Sequence, residues 1–257
     1  MNNILKKILL LNKKEGETPL SALESFRKKN KKYKDVKMTY AGRLDPMASG
    51  LLLVLSGEET KNKEKYLALD KEYEFEVLFG FATDTYDILG KVLKIEVVRS
   101  CLTIKELGKK IKDNLKFFTG KFKQKYPIYS SKTVKGKQLF EYARVGEEVE
   151  VPEHEVFVKE LKFFKLRKIN NKKLLENIEK RIKKIKGDFR QKEILKIWHK
   201  NLTVKHRVFD TGFYVARFRI KCSSGTYVRS ISDGLGQKIG IPALAFSIKR
   251  TRIGNLR

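Results

Sequence analysis

The chain has only two cysteines in 257 residues, Cys101 and Cys222, far apart and without a CxxC neighbour, which removes a disulfide framework and a cysteine zinc site. Its three histidines, His154, His199 and His206, are scattered, show neither metal-ligand nor nucleophile spacing, and read as structural. No apolar run approaches the roughly 18 residues of a membrane-spanning helix. The opening MNNILKKILLLNKKEG has too short an apolar stretch and no small-residue cleavage site for a secretory signal. A cytoplasmic chain without membrane, metal or redox chemistry is expected. Acidic residues are scarce: 30 Asp and Glu stand against 58 Lys and Arg, a net charge of +28. That imbalance favours a polyanionic partner, because Lys and Arg at phosphates release condensed counterions. Nucleic acid is the first candidate. Apolar material is not lacking, at 41% hydrophobic and 11% aromatic, so the composition is that of a folded domain and not of a disordered chain.

Along the chain, residues 4–12 read as a strand, followed by a turn at Gly16 and a helix. Thr18 as N-cap, Pro19 at the first helical position and Ser21 three before Glu24 are helix-start signals, with Leu23 and Phe26 on one face. LLLVLSG at 51–57 is a short apolar run of buried-strand type. Residues 72–79 alternate, with Tyr73, Phe75, Val77 and Phe79 opposite Glu72, Glu74 and Glu76, the pattern of a half-buried strand. Residues 104–119 look helical, 122–150 form a polar, aromatic-bearing segment, and strand character resumes over 155–165. From Arg167 to Lys200 thirteen Lys and Arg face four Asp and Glu, with Leu174, Ile178, Ile182 and Ile185 at helical spacing, so a basic helical insertion is expected at about 167–205. Trp198 is assigned to packing that insertion. A second alternating strand carries Ala216, Phe218, Ile220 and Cys222 on one face and ends in SSGTYVRSISDGLG, a Gly turn into a helix with Thr226 as its cap. Strands and helices in irregular order indicate a mixed α+β fold.

One loop stands out. In AGRLDPMASGLLL (41–53), Asp45 lies between a Gly-rich approach and a Pro that fixes local geometry, with Gly42 and Gly50 permitting backbone that other residues resist. Such a loop can present one carboxylate on a rigid scaffold. Taken alone, it reads equally as a turn Asp bonding its own backbone.

GRLDPMASG followed by an apolar strand resembles the catalytic loop of pseudouridine synthases, and above all that of the TruB family, whose core motif is G-x-L-D-P-x-A-[ST]-G. Further blocks match in order. LLLNKKEG is similar to the opening L-x-K-P-x-G, KEYEFEVLFG (71–80) to the Lys-x-Tyr strand, and TDTYDILG (83–90) to the Thr-Asp-Thr-x-Asp segment. QKYPIYSSKTVKGKQLFEYAR (124–144) is similar to the RNA-gripping thumb, and CSSGTYVRSISDGLG (222–236) to C-S-x-G-T-Y-x-R. The blocks span residues 8 to 254. The chain departs from the pattern at Tyr40, where the family commonly has His, at Lys14, where it has Pro, and at Lys132, displaced by one residue from the usual thumb Lys. The resemblance implies a single catalytic domain over 1–257, built on a mixed, mainly antiparallel sheet with flanking helices and a thumb at about 122–150. The chain stops shortly after IKRTRIG, where family members continue into a small RNA-binding PUA domain, and none is expected here.

The reaction implied is isomerisation of the T-loop uridine of tRNA, position 55. The N-glycosidic bond breaks, the uracil turns, and C5 joins the same ribose carbon, with no cofactor and no metal. Asp45 matches the catalytic carboxylate, acting as nucleophile or as base at C2′. Arg229 matches the cation that keeps it ionised, since a carboxylate in a closed pocket otherwise tends to protonate. Tyr73 matches the residue that stacks on the everted base and takes part in proton transfer at C5, although its strand position is equally that of a core Tyr. Tyr227 matches a second pocket residue, Lys13 a structural or pocket-lining cation, and Tyr40 the position beside the flipped base. Asp84 and Asp87 are assigned to loop structure. The implied partner is the tRNA T-arm, with the protein a monomer and the basic segment 167–200 adding electrostatic affinity for RNA. Three other readings stay open: a ribosomal-RNA pseudouridine synthase, a non-catalytic RNA-binding protein, and a metal-dependent nuclease, the last lacking the clustered carboxylates it would need.

Overall fold

A computed structural model of the protein describes residues 5–96, 103–203 and 212–257. Cys101, His206 and the part of 167–205 beyond Thr203 lie outside the described residues. In chain order the elements are β1 (Ile8–Lys13), α1 (Pro19–Lys29), β2 (Met38–Ala41), β3 (Ala48–Ser56), α2 (Lys63–Leu67), β4 (Lys71–Phe79), β5 (Phe81–Thr83), β6 (Val92–Ile95), α3 (Ile104–Asn114) and β7 (Gly120–Lys125). They continue with β8 (Thr133–Val134), β9 (Lys137–Gln138), α4 (Leu139–Val145), β10 (Glu153–Ile169), α5 (Asn171–Ile182), α6 (Gln191–Thr203), β11 (Phe213–Cys222), α7 (Val228–Ile239) and β12 (Ala243–Ile253).

One sheet organises the molecule, in the order β1-β3-β12-β4-β11-β10-β7, with β2 added to β3. Every pairing in it is antiparallel except β3 with β12. This is the mixed, mainly antiparallel α+β architecture expected from the sequence. The apolar run of β3 is explained by burial on both faces: Leu52 and Val54 join Ala22 and Leu23 of α1, while Leu53 and Leu55 join Ala41 and Ile253.

The alternation of β4 and β11 is also realised. Phe75, Val77 and Phe79 of β4 and Ala216, Phe218 and Ile220 of β11 face a core closed by α3 and α7. On the opposite face Glu74 pairs with Arg217 and Glu76 with Arg167, a charge ladder open to solvent. That charged face ends at Leu78 and Val215, which are buried beneath α5 and α6 together with Leu174, Ile178, Ile182, Ile194 and Trp198. The basic segment therefore closes a second core, and its first residues, 167–169, complete β10. Trp198 is fully buried, its ring tilted 4.9 Å from that of Phe81 and its indole N–H donated to the Ile88 carbonyl at 3.1 Å. Trp198→Ala is expected to lower unfolding free energy by about 3–5 kcal/mol in chemical denaturation, through the cavity and the unpaired carbonyl.

Helix α1 begins as its sequence signals require, with a reciprocal capping box between Thr18 and Ser21. Helix α7 does not. Tyr227, not Thr226, is its N-cap, and the Thr226 hydroxyl donates to the Ser223 carbonyl at 3.0 Å. The Gln124 side chain of β7 braces this N-cap residue, accepting from the Tyr227 N–H at 2.8 Å and donating to the Tyr227 carbonyl at 3.2 Å. The Thr226 hydroxyl closes the SSGT turn one residue ahead of the helix.

Candidate active site

The loop carrying Asp45 enters β3 through a turn in which the Ala48 N–H donates to the Asp45 carbonyl at 3.0 Å. Gly42 and Gly50 both have positive φ, 86° and 103°. At Gly50 a Cβ would lie 2.2 Å from the Arg250 carbonyl oxygen, so only glycine lets β12 run beside the loop. The Asp45 carboxylate does not bond its own backbone. It faces Arg229, which donates from Nε to Oδ2 at 2.7 Å and from Nη2 to Oδ1 at 3.2 Å, a two-pronged pair across 184 positions of sequence. The guanidinium is 3% exposed while the Asp45 side chain is 38% exposed, so the cation is sealed in and the carboxylate opens outward.

Arg229 is held on all sides. Nη1 donates to the Thr85 carbonyl at 2.7 Å and Nη2 to the Tyr129 carbonyl at 3.1 Å, fixing it between the 83–90 loop and the 122–150 segment. Burial works against its charge, but Asp45 and Asp87 outweigh it and hold the guanidinium above its ordinary value. Asp87, 4.0 Å from Nε, is buried and accepts from the Thr85 hydroxyl at 2.7 Å and the Leu89 N–H at 2.9 Å. Burial pushes its carboxyl up to about 6, with Arg229 opposing. Asp87 thus does the loop-structural work expected of it and also supplies negative charge beside the guanidinium.

Beneath Asp45 one row crosses the sheet by register: Lys13 opposite Gly50, Gly50 opposite Arg250, Arg250 opposite Tyr73. Lys13 is fully buried, its ammonium donating to the carbonyls of Lys14 and Glu17 at 3.1 and 2.6 Å. Burial pulls its pKa down to about 8, with Asp45 the largest opposing charge. Burial pushes the Tyr73 hydroxyl up, with Arg250 opposing the shift and the Asp45 charge adding a smaller push. Tyr227 is likewise raised by burial and then by Asp45, and its ring stands edge-on to Tyr126 at 5.6 Å. Arg229 is therefore bonded directly to Asp45, and the charge of Asp45 acts on Lys13, Tyr73 and Tyr227. Tyr40 is partly buried and packs against the Ala22, Leu23, Leu52 and Val54 cluster. Among the described residues no cluster of His, Cys, Asp and Glu could hold a metal ion, and no helix is long and apolar enough to cross a membrane.

Arg250 was not picked out from sequence. It is 1% exposed and grips the loop by its backbone, donating to the carbonyls of Leu51 at 2.7 Å, Gly42 at 3.1 Å and Arg43 at 3.3 Å. His154 stacks on Tyr126 at 4.0 Å and bonds the Gly225 carbonyl at 3.1 Å, so with Tyr227 it forms an aromatic group at the root of the 122–150 segment. A hollow of about 540 Å³, lined by Tyr86, Lys125, Tyr126, Ile128 and Pro152, continues from there.

The sequence model for "TruB family pseudouridylate synthase (N terminal domain)" matches residues 28–189. The chain belongs to the TruB family. Relatives named tRNA pseudouridine synthase B include those of Caldanaerobacter subterraneus, 34% identical over 219 residues, covering 85% of this chain and 60% of that protein. That of Protochlamydia amoebophila is 31% identical over 251 residues, covering 97% of this chain and 75% of the relative. The chain thus spans 60% to 75% of the length of these two TruB relatives. A solved Cbf5-Nop10-Gar1 complex shares the fold, with a TM-score of 0.56 at 18% identity over 97% of this chain and 49% of that one. An H/ACA RNP bound to a substrate RNA containing 2′-deoxyuridine matches with a TM-score of 0.55 at 16% identity over 97% of this chain and 48% of that one.

Proposed function

We propose that the protein is a tRNA pseudouridine synthase that isomerises the T-loop uridine, position 55, and that Asp45 is its catalytic carboxylate. The observation that supports this most is the asymmetry of the Asp45–Arg229 pair: a buried guanidinium behind a carboxylate that is itself open outward. A carboxylate backed by a sealed guanidinium stays ionised while a ligand can still reach it. The reaction requires both properties of one oxygen.

The chemistry needs one ionised oxygen and no redox partner. The bond between C1′ and N1 of the uridine breaks, a bond between C1′ and C5 forms, the C5 hydrogen leaves as a proton and N1 gains one. Ionised Asp45 starts this either as nucleophile or by taking the C2′ proton, and Arg229 holds it charged and oriented. The reaction requires a uridine everted from folded RNA, so aromatic surface must replace lost stacking. Tyr73 and Tyr227 are the rings beside Asp45 that fill this role, with the Tyr73 hydroxyl, kept protonated by burial, as a hydrogen-bonding group at the base. Lys13 supplies positive charge behind the loop. The segment 122–150 acts as the thumb on the T-arm, its root tied to the site through Gln124 and Tyr129. In this reading the protein works as one catalytic domain, a cytoplasmic monomer without cofactor.

The test is to incubate the purified protein with an unmodified tRNA transcript and with unmodified ribosomal RNA, and to map pseudouridine at single-nucleotide resolution. Modification confined to the T-loop uridine of tRNA is expected. Modification of ribosomal RNA alone, or of neither, contradicts the proposal.

A further inference from the structure

We infer that the turn joining α5 to α6 is a second RNA-contacting lip of the cleft, in which Lys184, Lys186 and Lys192 meet phosphates of the strand that flanks the everted uridine. The inference rests on the function proposed above and adds to it a surface outside the family's motifs.

Position is the first argument. The turn is pinned on one side to the loop after β1: Arg181 donates to both carboxylate oxygens of Glu15 at 2.7–3.0 Å, and the Lys186 N–H points at the Gly16 carbonyl at 3.4 Å. Gly16 is in turn bonded by its N–H to the carbonyl of Pro46 at 2.9 Å, the residue next to Asp45. The approach is so close that a Cβ on Gly16 would lie 2.7 Å from the Lys184 carbonyl oxygen. On its other side Arg190 pairs with Asp84 at 2.8 Å and lies over the Tyr129 ring at 4.5 Å, and the carbonyl of that same Tyr129 accepts from Arg229. The turn therefore touches both the loop beside Asp45 and the root of the thumb, and sits at the edge of the cleft.

Charge is the second argument. Near the turn Glu179 pairs with Lys183 and His199 and Glu193 with Lys91, the Asp188 carboxylate accepts from the Arg190 N–H at 3.2 Å, and Glu176, in the middle of α5, forms no ion pair among the described residues. The two arginines that brace the turn use outside carboxylates, Glu15 and Asp84. Lys184, Lys186 and Lys192 are exposed, and none forms an ion pair with a carboxylate among the described residues. A turn that fixes its arginines inward and leaves its lysines outward at the edge of a nucleic-acid cleft complements a phosphate backbone.

The test compares the full chain carrying K184Q, K186Q and K192Q with wild type in equilibrium binding to unmodified tRNA across a salt series. Three lost phosphate contacts should make the slope of log K against log salt shallower by about 2 and weaken low-salt binding by about ten-fold or more. A control variant removes Lys105, Lys109 and Lys112 from α3, which packs on the other core, and should keep the wild-type slope. The inference is overturned if its slope equals that of wild type, or if the α3 variant loses as much, which would mean net charge alone is read. Because the readout is binding, absence of pseudouridine from the wild-type reaction would defeat the proposed function while leaving this result interpretable.

Discussion

Asp45→Asn is expected to leave a folded protein that binds tRNA as tightly as wild type and forms pseudouridine only at a residual single-turnover rate, about 10⁻⁴ of the wild-type value. The side chain is nearly isosteric, so the loop should keep its shape, which rests on Gly50, on the Arg250 bonds to Leu51, Gly42 and Arg43, and on the Ala48–Asp45 backbone turn. Arg229 would lose one anion but keep Asp87 at 4.0 Å and the carbonyls of Thr85 and Tyr129, so the buried charge is not abandoned. What disappears is the one ionised oxygen that opens to the cleft. Loss of RNA affinity in parallel with activity, or retained isomerisation, would argue for a binding protein with Asp45 as scaffold. Filter binding and nucleotide-resolution mapping on the same preparations separate these outcomes.

The second large effect is at Arg229. Arg229→Lys keeps a positive charge but has no planar fork, so it cannot serve both Asp45 oxygens together with the Thr85 and Tyr129 carbonyls. Asp45 should swing from its position and the rate should fall by about 10²–10³-fold, the range seen when one preorganised polar contact at a reacting centre is removed. Arg229→Gln also strips the charge. Asp87 and Asp45 would then face each other without a cation in a buried site, and the unfolding free energy should drop by about 3–5 kcal/mol as well. Thermal unfolding of both variants distinguishes these cases: the Lys variant should lose rate with modest loss of stability, the Gln variant should lose both.

Legibility of this molecule from sequence followed the kind of signal each part carries. The strands announced themselves through period-two alternation, and β4 and β11 match residue for residue. The point where the second core begins was written in the same strands: Leu78 follows Glu72, Glu74 and Glu76 on one face of β4, and Val215 precedes Arg217, Arg219 and Lys221 on β11. Reading each face as uniformly charged hid the fact that α5 and α6 must cover its end. The Asp45 loop stands out by its glycines and proline, but its residue types alone read equally as a plain turn, and the carboxylate's role came through the resemblance. Its partner Arg229 was not derivable from local pattern and came through the resemblance. Arg250, Gln124 and the carbonyls of Thr85 and Tyr129 escaped altogether, because they act through main-chain atoms, which every residue has and no motif marks. Thr226 fits a cap by residue type, but it lies one residue before the N-cap Tyr227, and its hydroxyl is turned back to the Ser223 carbonyl.

The central claim, that Arg229 works by holding Asp45 charged and oriented, is tested most directly by a double-mutant cycle of Asp45→Asn and Arg229→Lys in single-turnover pseudouridine formation. If Arg229 acts through Asp45, the doubly substituted enzyme should be no slower than Asp45→Asn alone. Rate losses that multiply, so that the double variant falls a further 10²-fold or more, would assign Arg229 an independent task and contradict the account.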